Sequence, residues 1–178
     1  MLSKINLSEP RMFYQPVIPF NQLYGLNDLC QLLKPNWTAC EIGSFAGVSS
    51  NLIAKYVKKL YCVDLWQPYT EISEKNLIEG EKRFNKVVNN NKNIIKIKQD
   101  SLEFLKDFEG KFDFIYLDGE HNYEQVKKEI QLALTKMDSG IIAGHDYKQI
   151  LDVKHAVNEC FPDKVINLYS DSSWSVYV

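Results

Sequence analysis

Apolar residues along this chain follow two rhythms that take turns. Short apolar runs at Ala39–Ile42, Leu60–Val63, Phe112–Leu117 and Ile141–Ala143, with an alternating stretch at Ile94–Lys98, have the length and residue types of strands. Between them, apolar positions recur every three or four residues and predict helices. Asn21 to Leu33 places Leu23, Leu26, Leu29, Leu32 and Leu33 on one side and is closed by Pro35. Val48 to Val57 carries Val48, Leu52, Ile53 and Tyr56; a long charged segment over about 70 to 90 carries Ile72, Leu77, Ile78, Phe84, Val87 and Val88. Leu102 to Phe108 follows, with Ser101 placed to cap it and Asp100 a second capping candidate. The next helix keeps Val126, Ile130, Leu134 and Met137 together behind Asn122 and Gln125, and the last runs from Asp152 to Phe161. Two final strands, Lys164–Tyr169 and Trp174–Val178, flank a Ser/Asp-rich turn. Five strand–helix units and a terminal hairpin predict an α/β domain with helices on both faces of a seven-stranded sheet.

The residues at the strand ends carry the chemistry. In an open α/β sheet, ligands sit outside the carboxyl ends of the strands. The first strand ends in Glu41-x-Gly43-x-x-x-Gly47, where a side chain at either glycine would block close approach of the backbone to a ligand. The second ends in Asp64, an acid about 20 residues beyond that turn and placed to accept hydrogen bonds from ribose hydroxyls. The turn lacks the third glycine of G-x-G-x-x-G, and an acid before its first glycine repels a diphosphate but suits a ligand with positive charge. Strand three is followed by Asp100-Ser101, strand four by Asp118-Gly119-Glu120-His121, and strand five by Gly144-His145-Asp146-Tyr147.

These motifs resemble those of the class I S-adenosylmethionine (SAM)-dependent methyltransferases, whose first motif is E/D-x-G-x-x-x-G. D-G-x-H-x-Y followed by G-H-D-Y is similar to a subgroup that includes sugar O-methyltransferases of antibiotic pathways, and the likeness covers Thr38 to Tyr147. It implies a Rossmann-like seven-stranded methyltransferase sheet whose terminal strand runs antiparallel. It implies a SAM site made by Glu41, Gly43, Ser44 and Gly47, by Asp64 at the ribose, by Asp100 at the adenine amino group, and by Leu65, Ser101 and Asp118. Metal-dependent relatives hold a divalent cation, Mg²⁺ or Mn²⁺, with acids that map to Asp118 and Asp146. Catechol-type relatives have Asp-Asn at the second of these positions, where this chain has Asp146-Tyr147. A hydroxyl acceptor must lose its proton during transfer, and a positioned histidine or a metal ion serves that end. His121 is the first candidate base and His145 the second. The expected activity is O-methylation of a small molecule or sugar; a nicotinamide-dependent oxidoreductase and a catalytically silent SAM-binding module are the alternatives.

Composition narrows the picture a little further. At 178 residues the chain suits one domain over 21–178, preceded by an arm, residues 1–20, in which Pro10, Pro16 and Pro19 forbid a long regular element. A net charge of -2 argues against general nucleic-acid binding. The four cysteines have no metal-ligand spacing, and Cys40 and Cys62 fall in predicted core strands, as buried thiols of a reducing compartment do. With no membrane-spanning run and no signal peptide, a cytoplasmic protein is expected, acting on a small-molecule partner and open to forming a homo-oligomer.

Overall fold

The computed structural model describes residues 23–67 and 74–178. The N-terminal arm, Pro68, Tyr69 and the start of the predicted long helix lie outside the described residues. The elements in chain order are α1 (Tyr24–Cys30), β1 (Thr38–Ile42), α2 (Val48–Ile53), β2 (Lys59–Asp64), α3 (Glu74–Asn90), β3 (Ile94–Lys98), α4 (Ser101–Asp107), β4 (Phe114–Leu117), α5 (Tyr123–Thr135), β5 (Ile141–Gly144), α6 (Leu151–Cys160), β6 (Asn167–Leu168) and β7 (Trp174–Tyr177). Several are shorter than periodicity alone suggests, because apolar spacing continues past the point where backbone hydrogen bonding stops. The final hairpin shrinks most: of the predicted strand Lys164–Tyr169, only Asn167–Leu168 pairs.

The sheet has the order β3-β2-β1-β4-β5-β7-β6. β1 to β5 are parallel, and β7 runs antiparallel to both β5 and β6. This is the Rossmann-like methyltransferase sheet. Strand alternation sorts its core into two layers. Cys40, Ile42, Val63, Ile115, Leu117, Ile142 and Trp174 face α4, α5 and α6, packing on Leu105, Ile130 and Val153. Ala39, Leu60, Cys62, Phe114, Tyr116, Ile141 and Ala143 face Leu26, Leu29, Ile53 and Phe84 of α1, α2 and α3. Ile42 pairs with Val63 and Leu117, and Leu117 pairs with Gly144, so one register brings the ends of four strands to a common edge.

The Ser/Asp-rich turn between β6 and β7 is buried, although its composition is that of a solvated loop. Asp171 is the reason: its Oδ2 accepts the Leu26 N–H at 2.7 Å and its Oδ1 the Ser173 N–H at 3.0 Å, tying α1 to the hairpin. Ser172 accepts the Lys148 N–H on its Oγ and the Tyr147 N–H on its carbonyl, and so supports the loop after β5. No helix of the described residues is long and apolar enough to cross a membrane. Asp171→Ala strands two buried N–H groups and is expected to cost about 2–4 kcal/mol. Urea unfolding checks this; a loss below about 0.5 kcal/mol would show that the turn is not held this way.

Candidate functional site

Alternation within β1 turns Glu41 toward α2, where it is completely buried. Its Oε2 accepts the Ser44 Oγ–H at 2.7 Å and the Ser50 hydroxyl. Burial raises this carboxyl above its ordinary range, against hydrogen bonds from Ser49, Ser50 and Ser44. Glu41 therefore organises the β1–α2 turn from inside through Oε2, while its buried Oε1 has no hydrogen-bond partner among the described residues. Gly43 has φ +85°, and a Cβ there would lie 2.1 Å from the Asp118 carbonyl oxygen. Its missing side chain is needed first by the protein, to let two backbones meet. Gly47, at φ +79°, is the N-cap of α2 and lies against Phe84 and Val87.

Asp64 ends β2 with one oxygen on each side of this turn. Oδ2 accepts the Phe45 N–H and Oδ1 the Trp66 N–H, both at 2.8 Å. The Trp66 indole N–H closes the loop on the Phe45 carbonyl at 2.8 Å. Phe45 and Trp66 are both left-handed, with φ of 41° and 44°. The Phe45 ring fills the space above Gly80 of α3, where a Cβ would come within 2.7 Å of it. Leu65 stays 40% exposed at the rim. Burial raises the Asp64 carboxyl, with the Trp66 and Phe45 N–H groups opposing.

At the end of β3, Asp100 is the N-cap of α4. Its Oδ1 accepts the Leu102 N–H at 2.9 Å and the Glu103 N–H at 3.1 Å. The capping predicted for Ser101 thus belongs to Asp100, because Asp100 holds the extended backbone (ψ 140°) that an N-cap needs. The Ser101 hydroxyl turns instead to Glu129 of α5, at 2.6 Å. Gln125 Nε2 reaches both Ser101 Oγ and Glu129 Oε1 at 3.3 Å. Glu129 is buried, and burial pushes its carboxyl up to about 7 against the bonds from Ser101 and Gln125, with Asp100 and Glu120 adding repulsion.

The ends of β4 and β5 bring the remaining candidates together. His121 Nε2 lies 3.0 Å from Asp146 Oδ2, and His145 Nδ1 lies 3.0 Å from Asp146 Oδ1 and 3.7 Å from Asp118 Oδ1. Asp146 sits between two imidazoles in a left-handed conformation, φ 63°, of the kind that aspartate tolerates and that clusters at functional sites. Burial of Asp146 opposes its ionisation, but the hydrogen bonds and charges of His121 and His145 prevail and hold its carboxyl well below the usual range. The bond to Asp146 raises His121, with burial pulling the other way. One donor atom each from Asp118, His145 and Asp146 falls within 4.8 Å of the others, a grouping able to hold a metal ion. A narrow cleft lined by Asp118, Gly119, His121, Glu129, His145 and Trp174 lies beside them.

A family model described as a methyltransferase domain matches residues 40–147. The chain belongs to that methyltransferase-domain family. No curated protein matches it. Among solved structures, the methyltransferase domain is similar to a Streptococcus mutans protein described as a methyltransferase and crystallised with S-adenosylhomocysteine (SAH). That match has TM-score 0.66 and 17% identity, covering 90% of this chain and 99% of the other. A Clostridium thermocellum protein described as an rRNA methylase matches with TM-score 0.64 at 14% identity, covering 91% and 96%. An O-methyltransferase from Bacillus cereus, in complex with SAH, matches with TM-score 0.60 at 15% identity, covering 92% and 83%. At these identities the likeness is one of fold.

Within the methyltransferase domain, the predicted site residues gather at one sheet edge, with Glu41 set behind it. Tyr147 is not among the lining groups: it is buried, and its hydroxyl donates to Asn158 of α6 at 2.7 Å. Tyr123 likewise turns its hydroxyl to Glu159. Sequence reading missed Phe45, Gln125 and Glu129. Glu129 had one visible signal, an acid four residues after Gln125 between the apolar positions Val126 and Ile130 of α5. Glu129 makes the stability of the fold depend on pH. Its folded carboxyl titrates near 7 and its ordinary value is 4.5, so the folded state holds the proton more tightly between those values. Its contribution is full below 4.5 and is lost as pH rises through 7, by on the order of 3 kcal/mol. Glu129→Gln is expected to gain that much relative to wild type between pH 5 and pH 8 in urea unfolding; a pH-independent difference would contradict the shift.

Proposed function

We propose that the methyltransferase domain transfers a methyl group from SAM to a hydroxyl of a small molecule or sugar, with His121 as general base. The observation that carries this reading is Asp146 bridging His121 and His145 beside Asp118, on adjacent strand ends of a methyltransferase sheet.

The residues at hand fit SAM. Each Asp64 oxygen holds one backbone N–H and keeps lone-pair capacity for a ribose hydroxyl. Oδ1 of Asp100 takes both capping bonds, which leaves Oδ2 available, and the Ser101 N–H has no protein acceptor among the described residues. An acceptor beside a donor complements the amino group and N1 of adenine. SAM, bound there, supplies a methyl group on a sulfonium, open to in-line displacement by oxygen.

The chain's own part is to place the acceptor and take its proton. In-line attack gains most from holding the nucleophile in a near-attack geometry. His121 is 37% exposed, so it reaches the acceptor side, and its Nε2 is committed to Asp146. Assigning the Nε2 proton to that contact leaves Nδ1 to accept the proton from the hydroxyl. The Asp146 carboxylate then stabilises the imidazolium that forms.

Asp118, His145 and Asp146 also fit a divalent ion. Two carboxylates with one imidazole suit Mn²⁺ better than Mg²⁺, which favours oxygen ligands and retained water. Such an ion would lower the pKa of a hydroxyl bound beside it.

SAH affinity by calorimetry tests the cofactor site. Asp64→Ala is expected to lose about 1.5–3 kcal/mol, roughly 10- to 150-fold. Unchanged affinity would remove Asp64 from the site. For the chemistry, His121→Ala is expected to lower turnover by roughly 10²–10⁴-fold with SAH affinity kept, and EDTA to suppress wild-type turnover until Mn²⁺ is restored. A dead His145→Ala beside an active His121→Ala would move the base to His145. Full turnover in chelator would eliminate the metal.

A further inference from the structure

Glu129 has no part in the mechanism above, yet it is an acid buried beside the site. It is 2% exposed, and among the described residues no cation pairs with it. Burying an acid without a counter-charge is unfavourable unless its oxygens are used. One of them is: Oε1 accepts the Ser101 hydroxyl at 2.6 Å and Gln125 Nε2 at 3.3 Å, and the Gln125 amide closes the triangle on Ser101 Oγ at 3.3 Å. The same oxygen lies 3.9 Å from the Cβ position of Gly119, beneath the loop that follows Asp118. Glu129 is thus fixed on α5, under the β4–α5 loop, with its carboxylate on the first residue of α4.

Ser101 is where that contact has a consequence. Its N–H and the spare oxygen of Asp100 form the donor–acceptor edge assigned above to adenine, and a helix N-terminus frays unless its first turn is held. Asp100 fixes the Leu102 and Glu103 N–H groups, and the bonds of Ser101 Oγ to Glu129 and to Gln125, itself held by Glu129, fix the side of the helix on which Ser101 faces.

We infer that Glu129 is a positioning residue of the cofactor's purine pocket, holding Ser101 and Gln125 so that the first turn of α4 selects adenine by its amine edge. The inference rests on the SAM reading. Its distinguishing consequence is discrimination at the base: a 6-oxopurine reverses the donor and acceptor at that edge and leaves the ribose and amino-acid contacts unchanged.

Calorimetry with SAH and with its inosine analogue provides the test. Wild type is expected to prefer SAH by roughly 10²-fold or more, the scale set by reversed polar contacts in a buried site. Ser101→Ala and Glu129→Leu are each expected to weaken SAH by about 5- to 20-fold and the analogue hardly at all, so that the preference shrinks by the same factor. Because both remove the Ser101–Glu129 bond, the double variant is expected to bind hardly more weakly than the weaker single variant. Parallel weakening of both ligands, or no change in either, would reduce Glu129 to a tie between helices and overturn the inference. If Glu129→Leu does not fold, Ser101→Ala removes the same bond from a half-buried hydroxyl and decides alone. A wild-type chain that binds neither ligand would overturn the SAM reading and the inference with it; SAH binding without purine preference would overturn the inference only.

Discussion

β1 and β4 lie side by side in the sheet and send the chain to opposite faces, one into α2 and the other into α5. A crevice opens at such a parting, and ligands of open α/β sheets lie there. In this protein the parting is also a contact. Gly43 meets the backbone of Asp118 so closely that no side chain fits between them. The β1–α2 loop and the acid that follows β4 are therefore fixed to each other by backbone alone. Every other feature of the site is arranged around that junction.

Two networks extend from it. At the ends of β1 and β2, Asp64 holds Phe45 and Trp66 in left-handed turns, while Glu41 gathers serine hydroxyls under the same loop. At the ends of β4 and β5, Asp146 takes the left-handed place and two histidines close on it. Both networks put carboxylates in a partly or wholly buried setting beside local donors. They differ in the donors: N–H groups and hydroxyls leave Glu41 and Asp64 raised, whereas paired imidazoles hold Asp146 low. The buried β6–β7 turn supports the second network from behind, through Ser172 and the backbone of Tyr147 and Lys148.

How much was legible in the sequence divides along a physical line. Apolar periodicity is a local property, so it determined the number and order of the strands, the helix between each parallel pair, and the placing of Cys40 and Cys62 in the core. Strand ends follow from the same pattern, and with them the gathering of Gly43, Asp64, Asp100, Asp118, His121, His145 and Asp146 at one edge. What each side chain does there is a matter of distance between residues far apart in the chain, and only the tertiary structure decided it. Alternation across a strand turned Glu41 inward, and packing against α6 buried Tyr147. Backbone conformation gave the cap of α4 to Asp100. An acid on the buried side of α5 found its partner in Ser101, 28 residues away. Composition suggested a solvated hairpin turn, but two N–H groups waiting for Asp171 made it part of the core. Local spacing specifies elements because it acts within a few residues. The site needed contacts that form only once the sheet has brought its loops together.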